Sequence, residues 1–213
     1  MMNFIPIFPL ALVAFPGERL NLHIFEPRYK QLVADCRETG KPFGIPAVID
    51  NRIAERGTLM ALQEVVKTYD NGEMDITTLG IRPFRILEKL PPAPGKGCAG
   101  AIVEYPDDSD DGDPARMDRL LEAVAQLHRL LNVEKHLEPG RDGWRTFDIA
   151  HHAGLSLPQE YELLGIPSER QRQEYLRRHL QTVLPVMVEM EALQEKIRLN
   201  GHFRNLPGFE PLP

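Results

Sequence analysis

Residues 57–81 read GTLMALQEVVKTYDNGEMDITTLGI. In the first arm Met60, Leu62, Val66 and Thr68 alternate with more polar neighbours, and Met74, Ile76 and Thr78 do the same on the return. A period of two is the pattern of half-buried strands. Between the arms stands Asn71-Gly72, the preferred pair for a two-residue type I′ turn, because both central residues of that turn need positive φ. The segment is therefore a β-hairpin, expected to turn on Asn71-Gly72.

Outward from the hairpin, further short strands are expected over residues 5–8, 19–24, 43–49, 84–87 and 99–105. Pro83 cannot donate to a ladder, so it is expected at a strand start, an edge or a bulge. One helix interrupts this half. Pro27 suits a first helical turn, Tyr29, Leu32, Val33 and Cys36 fall on one face, and Gly40 is placed to end it. Several short strands plus one helix predict a small, partly closed barrel over residues 1–105.

Beyond residue 115 the period changes to 3.6. Met117, Leu120, Leu121, Val124, Leu127 and Leu131 line one face of a long helix. Ser156 with Gln159, and Ser168 with Gln171, have capping-box spacing. The second box opens a helix carrying Leu176, Leu180, Val183 and Leu184, with a kink expected at Pro185. Phe147 to Ala150 reads as a short helix before Gly154. Residues 115–213 are thus expected to form a helical bundle, and the fold class is α+β.

The chain has 213 residues, with 25 basic and 31 acidic side chains and a formal charge of −6. Residues 1–105 carry 12 of each sign, and residues 115–213 carry 13 basic against 14 acidic. The imbalance sits in residues 106–114, PDDSDDGDP. Such a run repels itself and buries no apolar surface, which predicts an extended linker between the halves. No apolar run reaches the roughly 18–20 residues of a membrane-spanning helix. The apolar N-terminus lacks a basic region and is broken by Pro6, Pro9 and Pro16, a poor signal peptide. Two cysteines 62 positions apart make neither a disulfide framework nor a zinc site. A cytoplasmic protein is the expectation.

Catalytic chemistry has few footholds. Ser156 and Ser168 read as caps, Ser109 lies in the acidic run, and none stands in a G-x-S-x-G elbow. Cys36 falls on an apolar helix face, and Cys98 has no histidine near it in sequence to activate it. The phosphate-cradling G-x-x-x-x-G-K-[ST] is absent, and Gly95-Lys96-Gly97 reads as a tight turn. His151 and His152 are adjacent, about 100° apart on a helix, and no H-E-x-x-H occurs. Asp107, Ser109, Asp111, Gly112 and Asp118 fit D-x-S-x-D-G-x₅-D, close to a calcium loop, but the last ligand is Asp rather than Glu and a strand precedes the run instead of a helix. The expectation is no metal and no cofactor. Arg170, Arg172, Arg177 and Arg178 are offset by Glu169 and Glu174, so no basic stripe for nucleic acid is expected.

The opening block carries a resemblance. Pro6-Ile7-Phe8-Pro9-Leu10, Phe15-Pro16-Gly17 and Leu22-His23-Ile24-Phe25-Glu26-Pro27-Arg28-Tyr29 resemble the start of the Lon protease N-terminal, substrate-binding domain, most closely its stand-alone bacterial form. The likeness continues through Phe43-Gly44-Ile45, Gly57, Asn71-Gly72 and Gly80…Phe84-Arg85-Ile86, and into Gly154-Leu155-Ser156-Leu157 and Gln159 to Leu164. Asn21 stands where that family often has proline. The resemblance implies a PUA-like β-barrel subdomain followed by a helical bundle. It also implies recognition of unfolded or extended polypeptide segments, with a separate ATPase or protease as a possible partner. The ATPase and Ser–Lys protease parts that follow this region in full-length Lon have no counterpart motif here, so the expectation is a non-catalytic binding module.

For a recognition surface the strand-to-helix corner of Phe25, Glu26, Arg28 and Tyr29 is the candidate. Against this, Phe15 and Phe25 also read as core aromatics, and Glu26 as a helix cap. The rival is a small-molecule-binding enzyme with a pocket at the subdomain junction. A nucleic-acid-binding PUA-like protein is a further alternative.

Overall fold

The computed structural model describes residues 3–202, apart from 94, 136, 141 and 142. Its elements run β1 (Asn3–Pro6), β2 (Arg19–Ile24), α1 (Pro27–Thr39), β3 (Phe43–Ile49), β4 (Arg52–Thr68), β5 (Met74–Leu90), β6 (Gly100–Glu104), α2 (Pro114–Leu130), α3 (Thr146–Ile149), α4 (Leu157–Leu164) and α5 (Glu169–His202). The strands form one antiparallel sheet in the order β1-β6-β5-β4-β3, with β2 beside β5. The chain after β1 returns to β3 through parallel bridges at Ile7–Gly44 and Leu10–Ala47, which closes the barrel. The expected α+β architecture is the one found. Positions 203–213 of the expected helical half lie outside the described residues.

The central hairpin stands where the sequence puts it, but its turn differs. The Tyr69 N–H donates to Glu73 O and the Gly72 N–H to Tyr69 O, both at 2.8 Å. Only Gly72 takes positive φ, +74°. The loop is therefore three residues closed by a left-handed glycine, not a two-residue I′ turn. The I′ pattern occurs instead at Asp50-Asn51, φ 50° and 59°, between Ile49 and Arg52. Register shifts at Leu62/Glu64 and Val65/Lys67 reverse the inward face of β4. Val65 thus packs on the core and Val66 is exposed, contrary to simple alternation.

Pro83 lies within β5 opposite Thr58. It falls between Leu79, where pairing with β2 ends, and Arg85, where pairing with β6 begins, so one side of β5 is unflanked by a strand there. A residue without an N–H is tolerated at such an edge.

Helix α1 covers one mouth of the barrel. Tyr29, Leu32, Val33 and Cys36 are buried with Phe8, Ile24, Phe43, Ile45, Met60 and Ile76. Gly40 ends the helix at φ 66°, its N–H returning to Cys36 O. Burial pushes the Cys36 thiol up to about 11, which marks it as inert filling.

The helices share a core with the barrel. Val13, Phe15 and Ala47 pack among Met117, Leu120, Val124, Leu127, Phe147, Ile149, Leu163, Leu176 and Leu180. Helix α2 ends at Leu130, leaving Leu131 exposed rather than on the buried face. Helix α5 continues through Pro185. In α4 the Ser156 N–H donates to Gln159 Oε1 and the Ser156 side chain receives the Gln159 N–H, the two halves of the expected capping box.

The acidic run is largely exposed but is tied to the helices on both sides of it. Asp113 caps α2, accepting the Ala115 and Arg116 N–H groups. Asp111 accepts from the Ser168 hydroxyl at 2.9 Å and the Arg170 N–H at 3.2 Å, so it caps α5 alongside Ser168, whose oxygen receives the Gln171 N–H. Those bonds hold the Asp111 carboxyl below its usual range. Ser109 bonds in both directions, its N–H to Pro167 O and its O from the Glu169 N–H. Helix N-termini offer orphan amides and a positive dipole end, and here the run satisfies two of them. Self-repulsion is offset by these contacts, a compensation invisible in a linear charge count.

His151 joins the halves. Its ring nitrogens lie 2.7 Å from Glu160 and 3.2 Å from Glu18, and its ring packs 4.8 Å from Phe15. Burial alone would lower its pKa, but the hydrogen bonds and charges of Glu160 and Glu18 outweigh this and raise it to about 9. A raised folded-state pKa contributes stability that is fully present below the unfolded value of about 6.5 and is lost as pH rises through the folded value. Urea midpoints are accordingly expected to fall as pH rises from about 6.5 to 9, and His151→Gln is expected to flatten that slope. An unchanged slope in the variant would remove the assignment.

Candidate functional site

A groove of about 760 Å³ runs along α1. All four residues of β1 line one side, Arg28, Gln31, Asp35 and Thr39 of α1 another, and Ala93, Lys96, Gly97 and Cys98 a third. Strand β1 pairs with β6 along one edge, and the groove runs along the strand. The volume is in the range of ligand-binding clefts.

Local sequence builds each wall. Residues 95–97 are pinned to α1: the Gln31 amide donates to Gly95 O at 3.0 Å, the Gly97 N–H donates to Gln31 Oε1, and Lys96 pairs with Asp35. A Cβ on Gly97 would meet Arg28 Cβ at 2.7 Å, so only glycine lets the segment come this close. The Cys98 thiol donates to Arg28 O at 3.1 Å. Burial raises its pKa, leaving it a protonated donor rather than a thiolate nucleophile. Apolar character comes from Phe4, 61% exposed, and from Ile5, Leu32 and Tyr105.

The four residues expected at the corner separate. Arg28 lines the groove, bonding Glu26 at 2.8 Å through Nε and 2.7 Å through Nη2, and lying 4.6 Å over the Tyr29 ring. Tyr29 itself is core, stacked 3.9 Å from Phe8, and burial raises its hydroxyl pKa. Glu26 occupies the N-cap position without a side-chain cap bond, because its carboxylate is committed to Arg28. Phe25 is 59% exposed and joins a different cluster with His23 and, through His23, Tyr69 at the hairpin tip. The reading of Phe25 as core is therefore corrected: Ile24, not Phe25, points inward as the strand ends. The reading of Phe15 as core holds, at 0% exposure.

At the tip, His23 lies 2.7 Å from Asp75 and 3.1 Å from Glu73. The hydrogen bond to Asp75, partly opposed by desolvation, raises the His23 pKa, and Asp75 is lowered by its bonds to Tyr69 and His23.

Sequence reasoning missed Phe4, Lys41, Lys96 and Tyr105, which line the groove from positions up to a hundred residues apart. The closeness of Gly97 to Arg28 was the available signal, but Gly95-Lys96-Gly97 reads equally well as any tight turn. A second depression, on α4 and α5, is lined by Arg116, Glu162, Glu174 and Arg178. Its charges are largely paired with one another, with Glu174 bonded to Arg177 and Arg178 and its pKa lowered to about 2 by them. The junction of barrel and helices is filled by Phe15, Phe147 and their neighbours, and Gly165 packs against Arg56. Among the described residues no three His, Cys, Asp or Glu side chains are placed to hold a metal ion, and no helix is long and apolar enough to cross a membrane.

Residues 5–182 match the family model described as the ATP-dependent protease La (LON) substrate-binding domain. The chain is similar to a Lon N-terminal domain protein from Xanthomonas campestris, whose crystal structure is known: 27% identity, TM-score 0.63, covering 83% of this chain and 98% of that one. It is also similar in fold to the N-terminal domain of the Mycobacterium avium complex Lon protease, at 13% identity and TM-score 0.60, over 85% of this chain and 100% of that one.

Proposed function

From the premise that this chain belongs to the ATP-dependent protease La (LON) substrate-binding domain family, we propose that it is a non-catalytic module that binds extended or unfolded polypeptide in the groove between β1 and α1. The observation that carries the reading is a strand whose residues line a partly apolar cleft. An extended segment laid there can add to the edge of β1 while Phe4, Ile5 and Tyr105 receive alternate side chains, the mode by which sheet edges take peptides. Lys41 places positive charge at the rim for carboxylates or main-chain carbonyls of the guest, while Arg28 is already paired with Glu26. Cys98, protonated and bonded to a carbonyl, offers no nucleophile. Release of the guest to a separate ATPase or protease is the step such a module serves.

Fluorescence anisotropy with a labelled, permanently unfolded polypeptide tests this. Phe4→Glu is expected to weaken binding at least about tenfold, the scale of losing a buried aromatic anchor. Phe25→Glu, away from the groove, is expected to leave it within about twofold. Equal loss in both variants, or binding by neither variant nor parent, would sink the assignment.

A further inference from the structure

The far end of α5 carries an apolar stripe that is exposed among the described residues. Val186, Met190, Leu193 and Ile197 are 52%, 49%, 58% and 62% exposed. Their spacing of four, three and four residues is the a/d seam of a coiled coil, and at about 100° per residue all four fall within roughly 60° of one another. The stripe adjoins the face that buries Leu176 and Leu180 and packs Val183 and Met187 on the body. The exposed seam is thus rotated by roughly 80° from the face that α5 lays on the body.

Spacing alone does not choose an occupant; the flanking charges do. With Met190 and Ile197 at a and Val186 and Leu193 at d, the g positions are Glu189 and Lys196 and the e positions are Met187 and Gln194. Neither Glu189 nor Lys196 forms an ion pair among the described residues, whereas neighbouring Arg198 pairs with Glu195. In a parallel pair g meets e, so Glu189 would face only Gln194. In an antiparallel pair g faces g. Met190 then stacks on the partner's Leu193, Val186 on the partner's Ile197, and Glu189 meets the partner's Lys196 twice over by the two-fold axis. Antiparallel pairing also sets the two bodies at opposite ends of the paired segment.

We propose that residues 186–197 of α5 form an antiparallel two-helix interface with a second copy of this chain. Four side chains per copy bury less than the ~800 Å² per partner of a standard interface, so association is concentration-dependent rather than permanent. The interface is separate from the groove, and either assignment can fail without the other.

Sedimentation velocity on the full chain from about 5 to 500 µM tests it, with circular dichroism to verify that each variant is folded. The parent is expected to shift from monomer to dimer, and Leu193→Glu to weaken the dimer by at least about tenfold. Glu189→Lys and Lys196→Glu are each expected to weaken it several-fold, and the double exchange to restore it to within about threefold of the parent. A parent that stays monomeric throughout overturns the proposal and leaves the seam to a different partner. So does a dimer indifferent to Leu193→Glu, which places the interface elsewhere, or one that the double exchange fails to restore, which removes the antiparallel pairing.

Discussion

Replacing Arg172 with Met is expected to cost about 3–5 kcal/mol, the scale of removing one partner from a buried ion pair. The Arg172 side chain is 1% exposed and sits at the meeting point of the acidic run, α3 and α5. Its guanidinium donates to Glu169 at 2.9 Å, Asp108 at 2.8 Å and Ile166 O at 2.9 Å, and lies 4.3 Å over the Phe147 ring. Glu169 is in turn buried and accepts the Thr146 N–H at 2.7 Å and the Thr146 hydroxyl. Taking away the cation leaves the buried Glu169 carboxylate without its counter-ion, leaves Asp108 only Arg145 at 3.5 Å, and removes one of the contacts that hold residues 107–111 against α5. Equilibrium urea unfolding measures the loss. A cost below about 1 kcal/mol would mean that the acidic run behaves as the solvated linker its composition suggests.

Gly80→Ala is expected to destabilise by about 3 kcal/mol or more, the upper range for forced overpacking. An ideal Cβ there would meet Phe15 O at 2.1 Å and Pro16 Cα at 3.1 Å. The backbone cannot retreat, because the Gly17 N–H donates to Gly80 O and the Gly80 N–H to Glu18 O, both at 2.9 Å. The approach holds Phe15 between barrel and helices, 5.2 Å from Phe147, so the strain would reach the shared core. Gly40 is the contrast. Nothing lies within 4 Å of its Cβ position, and only its φ of 66° resists alanine. Gly40→Ala is therefore expected to cost only about 1–2 kcal/mol, the price of a left-handed non-glycine residue. Thermal unfolding of the two variants side by side checks the ranking; a costlier Gly40→Ala would refute the steric account.

These residues show what was readable in the sequence. Strands 19–24 and 43–49, helix α1 with its glycine stop, and the change from period two to 3.6 follow from local patterning, which the final packing respects. The errors arose where distant contacts override local pattern. Val66 alternates correctly on paper, but bulges in β4 reverse the face. Asn71-Gly72 looks like an I′ turn, yet Asp50-Asn51 takes that geometry. The aspartates of 107–113 look self-repelling until Arg172 and two helix N-termini, some sixty residues away for the former, supply their partners. The corner motif includes Arg28, which lines the groove. It could not separate exposed Phe25 from buried Tyr29, because that difference is set by where Phe8 and the barrel mouth lie. The remaining groove residues come together only when the sheet closes.

The most direct measurement is amide chemical-shift mapping of the labelled chain during titration with an unfolded polypeptide. The largest changes are expected at residues 3–6, along the groove-facing residues of α1 and along 95–98, with the helical half unmoved. Changes confined to the Phe25–His23–Tyr69 tip or to α4 and α5, with none along β1, would contradict the groove as the recognition site.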